Sequence, residues 1–149
     1  MHPFDIKAAL LAKHAQHVVL IHFPIALFIA GVVFDFLAQW KKNRLLLAAA
    51  QWNFFVSALM TVPVLISGIL AWQWQLEGQR LKDILLMHLI LGFSSSVLIW
   101  VVWLIQRNTQ RKFGAVLPKY RLPLEALATL LVAFTGHLGG FLSGVNGPG

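Results

Sequence analysis

Four histidines interrupt otherwise apolar sequence: His17 and His22 in HVVLIHFPIAL, His88 in LLMHLILGFSSS and His137 in TGHLGG. A neutral imidazole is a good ligand for transition metals and for haem iron. Two imidazoles from facing helices can bind one haem iron from opposite sides, and three can hold a bare copper or zinc ion. The chain has no cysteine, so thiolate metal sites, iron–sulfur clusters and covalent c-type haem attachment are excluded. The phosphate-loop pattern GxxxxGK[ST] is absent. Asp35 lies thirteen residues beyond His22, about 20 Å along a helix, too far to orient any of these imidazoles as a hydrolase triad would require.

The elements that carry the histidines are apolar runs of membrane length. Hydrophobic residues make up 58% of the 149 residues and charged residues 11%. That is too few charges for an ordinary soluble domain. Four runs are long enough for a hydrocarbon core of roughly 30 Å: Val18–Gln39, Leu45–Trp72, Ile84–Ile105 and Leu122–Leu142. The expected fold is all-α, an integral membrane four-helix bundle forming a single transmembrane domain over residues 1–149. The first run is too long for a cleavable signal peptide, and no small-residue cleavage site follows it. Residues 1–16 carry Ile6, Leu10 and Leu11 at spacings that suit a short interfacial helix or an extension of the first span.

The net charge of +7 does not point to nucleic acid, because the basic residues sit between membrane-length runs rather than along one face. They set orientation instead. Lys41, Lys42, Arg44, Arg107, Arg111, Lys112, Lys119 and Arg121 border the first and third loops. Only Lys7, Lys13, Arg80 and Lys82 lie on the other side. The positive-inside rule therefore places both termini outside, in the periplasm where the cell has one. Trp40, Trp52, Trp100 and Trp103 then fall near the inner interface, and Trp72 and Trp74 near the outer one, a depth that indole rings favour.

On this topology His22, His88 and His137 come from three different helices at one level, each about 6–8 Å inside the outer boundary. Ionisable residues within spans usually face the bundle interior and mark function. His17 sits nearer the surface. It is five residues from His22, about 140° around a helix, so the two do not share a face, and His22 is expected to point inward. Pro24 would kink the helix just after it. Gly92, one turn from His88, and Gly136, Gly139 and Gly140 around His137 leave room for a flat group or for close helix packing. Asp35, Gln51, Asn53 and Glu125 fall toward the inner ends, where Asp35 is expected to pair with Arg44 or Arg107. Ser57, Thr61, Ser67 and Ser94–Ser96 are expected to hydrogen-bond across helices or to their own backbone.

Three functions fit this pattern. The first is electron transfer through one b-type haem in the outer leaflet, held by two of His22, His88 and His137. Arg80 would be placed to meet a propionate, and quinone and an outer redox protein would be partners, as for an oxidoreductase subunit. The second is binding or transport of a transition metal, copper or zinc, by His22, His88, His137 and His17. The third is an anchoring subunit of a larger membrane complex or homo-oligomer. In every case the lipid bilayer is the surrounding medium.

HVVLIHFPIALFIAGVVFD and TGHLGGFLSGVNG resemble the two ends of a bacterial membrane family known as domain of unknown function 2231. Its pattern opens H-P-x-x-V-H-F-P-I-A-L with a later Asp and closes T-G-x-x-G-G-x-x-V-x-x-x-G. The resemblance covers nearly the whole chain. It implies four spans, location in the bacterial inner membrane, and shared positions at His17, His22, Phe23, Pro24, Asp35, Thr135, Gly136, Gly139, Gly140 and Gly144. Val18 replaces a common proline, and Leu142-Ser143 replaces a common Val-Tyr. The architecture is also similar to that of four-helix b-type cytochromes.

Overall fold

The structure is a computed structural model and describes residues 13–75, 83–113 and 120–143. Four helices follow in order: α1 (Lys13–Lys41), α2 (Arg44–Gln75), α3 (Asp83–Phe113) and α4 (Arg121–Leu142). No strand occurs among the described residues. Each helix contains a stretch apolar and long enough to cross a membrane: Gln16–Lys41, Arg44–Gln73, Asp83–Thr109 and Arg121–Leu142. The starts of α1 and α3 and the ends of α2 and α4 therefore lie at one end of the bundle, called the terminal end here. The ends of α1 and α3 and the starts of α2 and α4 lie at the other, called the loop end.

One main stripe of each helix turns inward. On α1 it is His17, Ile21, Pro24, Phe28, Gly31, Asp35 and Ala38; on α2 it is Ala50, Phe54, Ser57, Thr61, Val64, Gly68 and Ala71. On α3 it is His88, Gly92, Ser95, Ile99, Val102, Gln106 and Thr109; on α4 it is Arg121, Glu125, Ala128, Val132, Thr135 and Gly139. Each stripe steps alternately by three and four residues. That is a seven-residue repeat, the period of helices packed at shallow angles. Large residues off the stripes, such as Phe23, Val33, Leu59, Ile90 and Leu130, are exposed, as lipid-facing side chains should be.

The middle of the bundle is dry. Phe28, Phe54, Ile99, Val102, Ala128 and Val132 form its centre, with the Phe28 and Phe54 ring centroids 5.3 Å apart. Gly31 lets α2 come close: a Cβ there would meet the Phe54 ring at 2.8 Å. Ser57 donates to the Pro24 carbonyl at 2.8 Å. The proline is buried and α1 runs on through it. Thr61 and Ser96 bond to their own helices, and Ser95 pairs with Thr135 across α3 and α4.

The α1–α2 connection is two residues long. Lys42 adopts a left-handed conformation (φ 49°). Asn43 then caps α2, its Oδ1 accepting from the Leu45 and Leu46 N–H groups at 2.8 and 3.3 Å. Trp40 and Trp52 are exposed near this end. Trp100 and Trp103 instead pack between helices. Trp100 Nε1 donates to Thr61 at 3.1 Å. Trp103 is buried against Phe55, with the Arg107 guanidinium 5.2 Å from its ring.

Candidate functional site

His17, His22, His88 and His137 all lie toward the terminal end, but the helices treat them differently. His17 belongs to the inward stripe of α1. Its Nδ1 lies 2.9 Å from Ser67 Oγ, and its ring rests on Gly68, where a Cβ would meet Cε1 at 3.0 Å. His88 belongs to the inward stripe of α3. Its Nδ1 lies 3.1 Å from the Thr135 carbonyl, and its ring rests on Gly139, where a Cβ would meet Cε1 at 3.1 Å. The same device thus occurs once in each helical hairpin: an imidazole on the first helix, seated on a glycine of the second.

His22 and His137 lie off the stripes and are exposed. His22 bonds its Nδ1 to the Val18 carbonyl of its own helix at 2.6 Å. His137 stands edge-on to Phe141, with ring centroids 5.0 Å apart. The inward histidine of α1 is therefore His17, not His22. The seven-residue spacing that joins His17 to Pro24, Gly31 and Ala38 decides this and is legible in the sequence. Among the described residues, no three His, Cys, Asp or Glu side chains come together as a metal-binding group. No three of His17, His22, His88 and His137 form such a group.

The hydrogen bonds assign protons. A carbonyl only accepts, so His22 Nδ1 and His88 Nδ1 must donate. Ser67 has its own proton committed to the Val64 carbonyl at 2.9 Å, so His17 Nδ1 donates as well. In the neutral form each of these rings then has its lone pair on Nε2. This is the arrangement in which a ligating histidine is held by a backbone or side-chain acceptor through its other nitrogen. The donor chemistry of His17 and of His88 would suit a haem iron or another transition metal.

The glycines have separate duties. Gly139 seats His88, and a Cβ at Gly136 would meet Ile25 of α1 at 3.7 Å. A Cβ at Gly92 would meet the Thr135 methyl at 3.7 Å, ordinary contact distance. Gly140 is half-buried. Arg80, residues 1–12 and Gly144 lie outside the described residues.

The loop end holds a group that the sequence disclosed only in part. Asp35, Gln106, Arg121 and Glu125 are all 0% exposed. Arg121 Nε donates to Asp35 at 2.8 Å and to Glu125 at 3.1 Å, and its Nη2 donates to Asp35. Gln106 and Gln39 add bonds to Asp35 at 3.0 and 3.1 Å. The expected partners Arg44 and Arg107 are replaced by Arg121, 86 positions away. Arg121 opens α4 rather than closing the third loop. Its side chain can turn inward because Asp35 and Glu125 stand on adjoining stripe positions.

One family model covers this chain from α1 through α4. That model, described as predicted membrane protein (DUF2231), matches residues 13–147. The chain belongs to this family. No curated protein and no solved structure matches it. Membership in DUF2231 fixes a multi-pass membrane protein and leaves the chemistry to be argued from the residues.

Proposed function

We propose that this DUF2231 protein is a b-type haem-binding electron-transfer protein of the bacterial cytoplasmic membrane. His17 and His88, one from each hairpin, would hold the haem iron, and both termini face outward. One observation carries the reading. The two imidazoles on inward stripes are each held through Nδ1 by a neighbouring helix and seated on a glycine, which presents Nε2 as the lone-pair nitrogen. A bound haem would supply one-electron chemistry, while the chain sets ligand identity, orientation and burial. Ser67 and the Thr135 carbonyl fix the two rings. Quinone and an outward-facing protein are the partners suited to a single redox centre near one surface.

A second reading rests on the same contacts. His17–Ser67 and His88–Thr135 both join neighbouring helices, so the imidazoles can serve packing alone in an anchoring subunit. An absorption spectrum separates the two. Protein expressed with ample haem and purified in detergent should give a Soret band, with α and β bands after dithionite. His17→Ala and His88→Ala should each abolish the bands, and His22→Ala should retain them. A featureless visible spectrum from the wild-type protein overturns the haem reading and leaves the packing role.

A further inference from the structure

We propose that the Asp35–Arg121–Glu125–Gln106 cluster is a proton-binding site, with the proton carried on Glu125 and loaded from the loop end. This rests on the cluster alone and is independent of the histidines.

Charge balance comes first. Two carboxylates face one guanidinium, and all three are 0% exposed. Fully ionised, the cluster would bury one negative charge with no counter-ion, a costly state in a low-dielectric interior. Among the described residues, no further cation bonds to the cluster. From α1 come Asp35 and neutral Gln39, from α3 neutral Gln106, and from α4 Arg121. Past Arg44 at its loop-end tip, α2 has no charged residue. Arg107 is turned onto Trp103. One proton brings the cluster to neutrality.

Hydrogen bonding then says where the proton sits. Asp35 receives four donors on its two oxygens: Gln106 on Oδ1, and Gln39 with Arg121 Nε and Nη2 on Oδ2. Glu125 receives one, on Oε1. Its Oε2 is buried and unpartnered, as are Gln106 Oε1 and Arg121 Nη1. A carboxylate saturated with donors holds its charge, whereas one with an orphaned oxygen is the place for a proton. With the proton on Glu125 Oε2, the three orphaned atoms are two donors and one acceptor. A water molecule, which accepts two hydrogen bonds and gives one, complements them.

Access is from one side. Gln39, bonded to Asp35, is exposed in an open groove of about 540 Å³ that it lines with Phe36, Trp40 and Leu122. Toward the terminal end the way is closed by Phe28, Phe54, Val102 and Ala128, all at 0% exposure. The site therefore takes up and returns a proton at the loop end and is not part of a path through the bundle.

Infrared difference spectroscopy of the full chain in lipid nanodiscs tests this. The sequence has two glutamates, Glu77 and Glu125, so carbon-13 glutamate marks few carbonyls. The expected result is a buried carboxylic-acid band at neutral pH that moves with the label and is lost to carboxylate at alkaline pH. Glu77→Gln should leave the band intact and Glu125→Gln should remove it. Should Glu125→Gln not fold, the label together with Glu77→Gln still assigns the band. Absence of a label-sensitive acid band at neutral pH, or a band unchanged up to the alkaline limit of folding, overturns the proposal. So does a band that survives Glu125→Gln.

Discussion

At the loop end, the inward positions Asp35, Gln106, Arg121 and Glu125 bond to one another across α1, α3 and α4. At the terminal end, the inward positions His17 and His88 bond within their own hairpins, to α2 and to α4. The first arrangement clamps the two hairpins together. The second leaves each imidazole with a fixed ring and a defined lone pair. Polar residues on equivalent stripes thus do different work according to whether they answer one another or a single neighbour.

The comparison can be broken most forcefully at Arg121. Arg121→Met leaves the buried Asp35 carboxylate without its cation and should cost about 3–5 kcal/mol, read as reversible unfolding in detergent or nanodiscs. Replacing Asp35 and Glu125 by leucine in that background should recover most of the loss, because a well-packed apolar layer avoids burying charge altogether. No recovery would mean that the ion pairs themselves hold the hairpins together. Next in size is the dry middle. Gly31→Ala places a methyl 2.8 Å from the Phe54 ring, and overpacking should cost about 1–3 kcal/mol. At the terminal end His88→Ala removes one interhelical hydrogen bond and a seated ring, worth roughly 1–2 kcal/mol. His22→Ala, on an exposed ring bonded to its own helix, should stay within about 0.5 kcal/mol. Equal losses for His22 and His88 would erase the distinction between on-stripe and off-stripe histidines. The finest test is Gly139→Ala. Its methyl would stand 3.1 Å from His88 Cε1, so it should disturb the ring with little loss of stability. In the haem reading it should shift or weaken the Soret band while Gly92→Ala does not.

The spans were legible because twenty or so apolar residues in a row have few other uses, and their expected limits differ from the helical cores by only a few residues. Histidine direction was legible too, had the seven-residue spacing through His17, Pro24, Gly31 and Ala38 been followed instead of the relation between His17 and His22. The loop-end cluster was not. Asp35 and Arg121 are joined by packing of the first helix on the fourth, and nothing local in either segment marks the other. Arg121 also looked like one more basic loop residue, since charge counting does not distinguish a solvated arginine from one folded under a helix start. Trp103 misled in a similar way: an indole suits an interface, but here the stripe next to it had room for a ring.

The two-residue link of Lys42 and Asn43 has a bearing on how the protein is made. A connection this short closes at little entropic cost, and it keeps α1 and α2 in register from the moment both have emerged. α1 and α2 are also the most extensively packed pair of the bundle. The hairpin is therefore the natural first unit to settle in the bilayer, with His17 already laid on Gly68. Asp35, however, must wait beside Gln39 until the last helix brings Arg121, so assembly is complete only when the fourth helix has been synthesised.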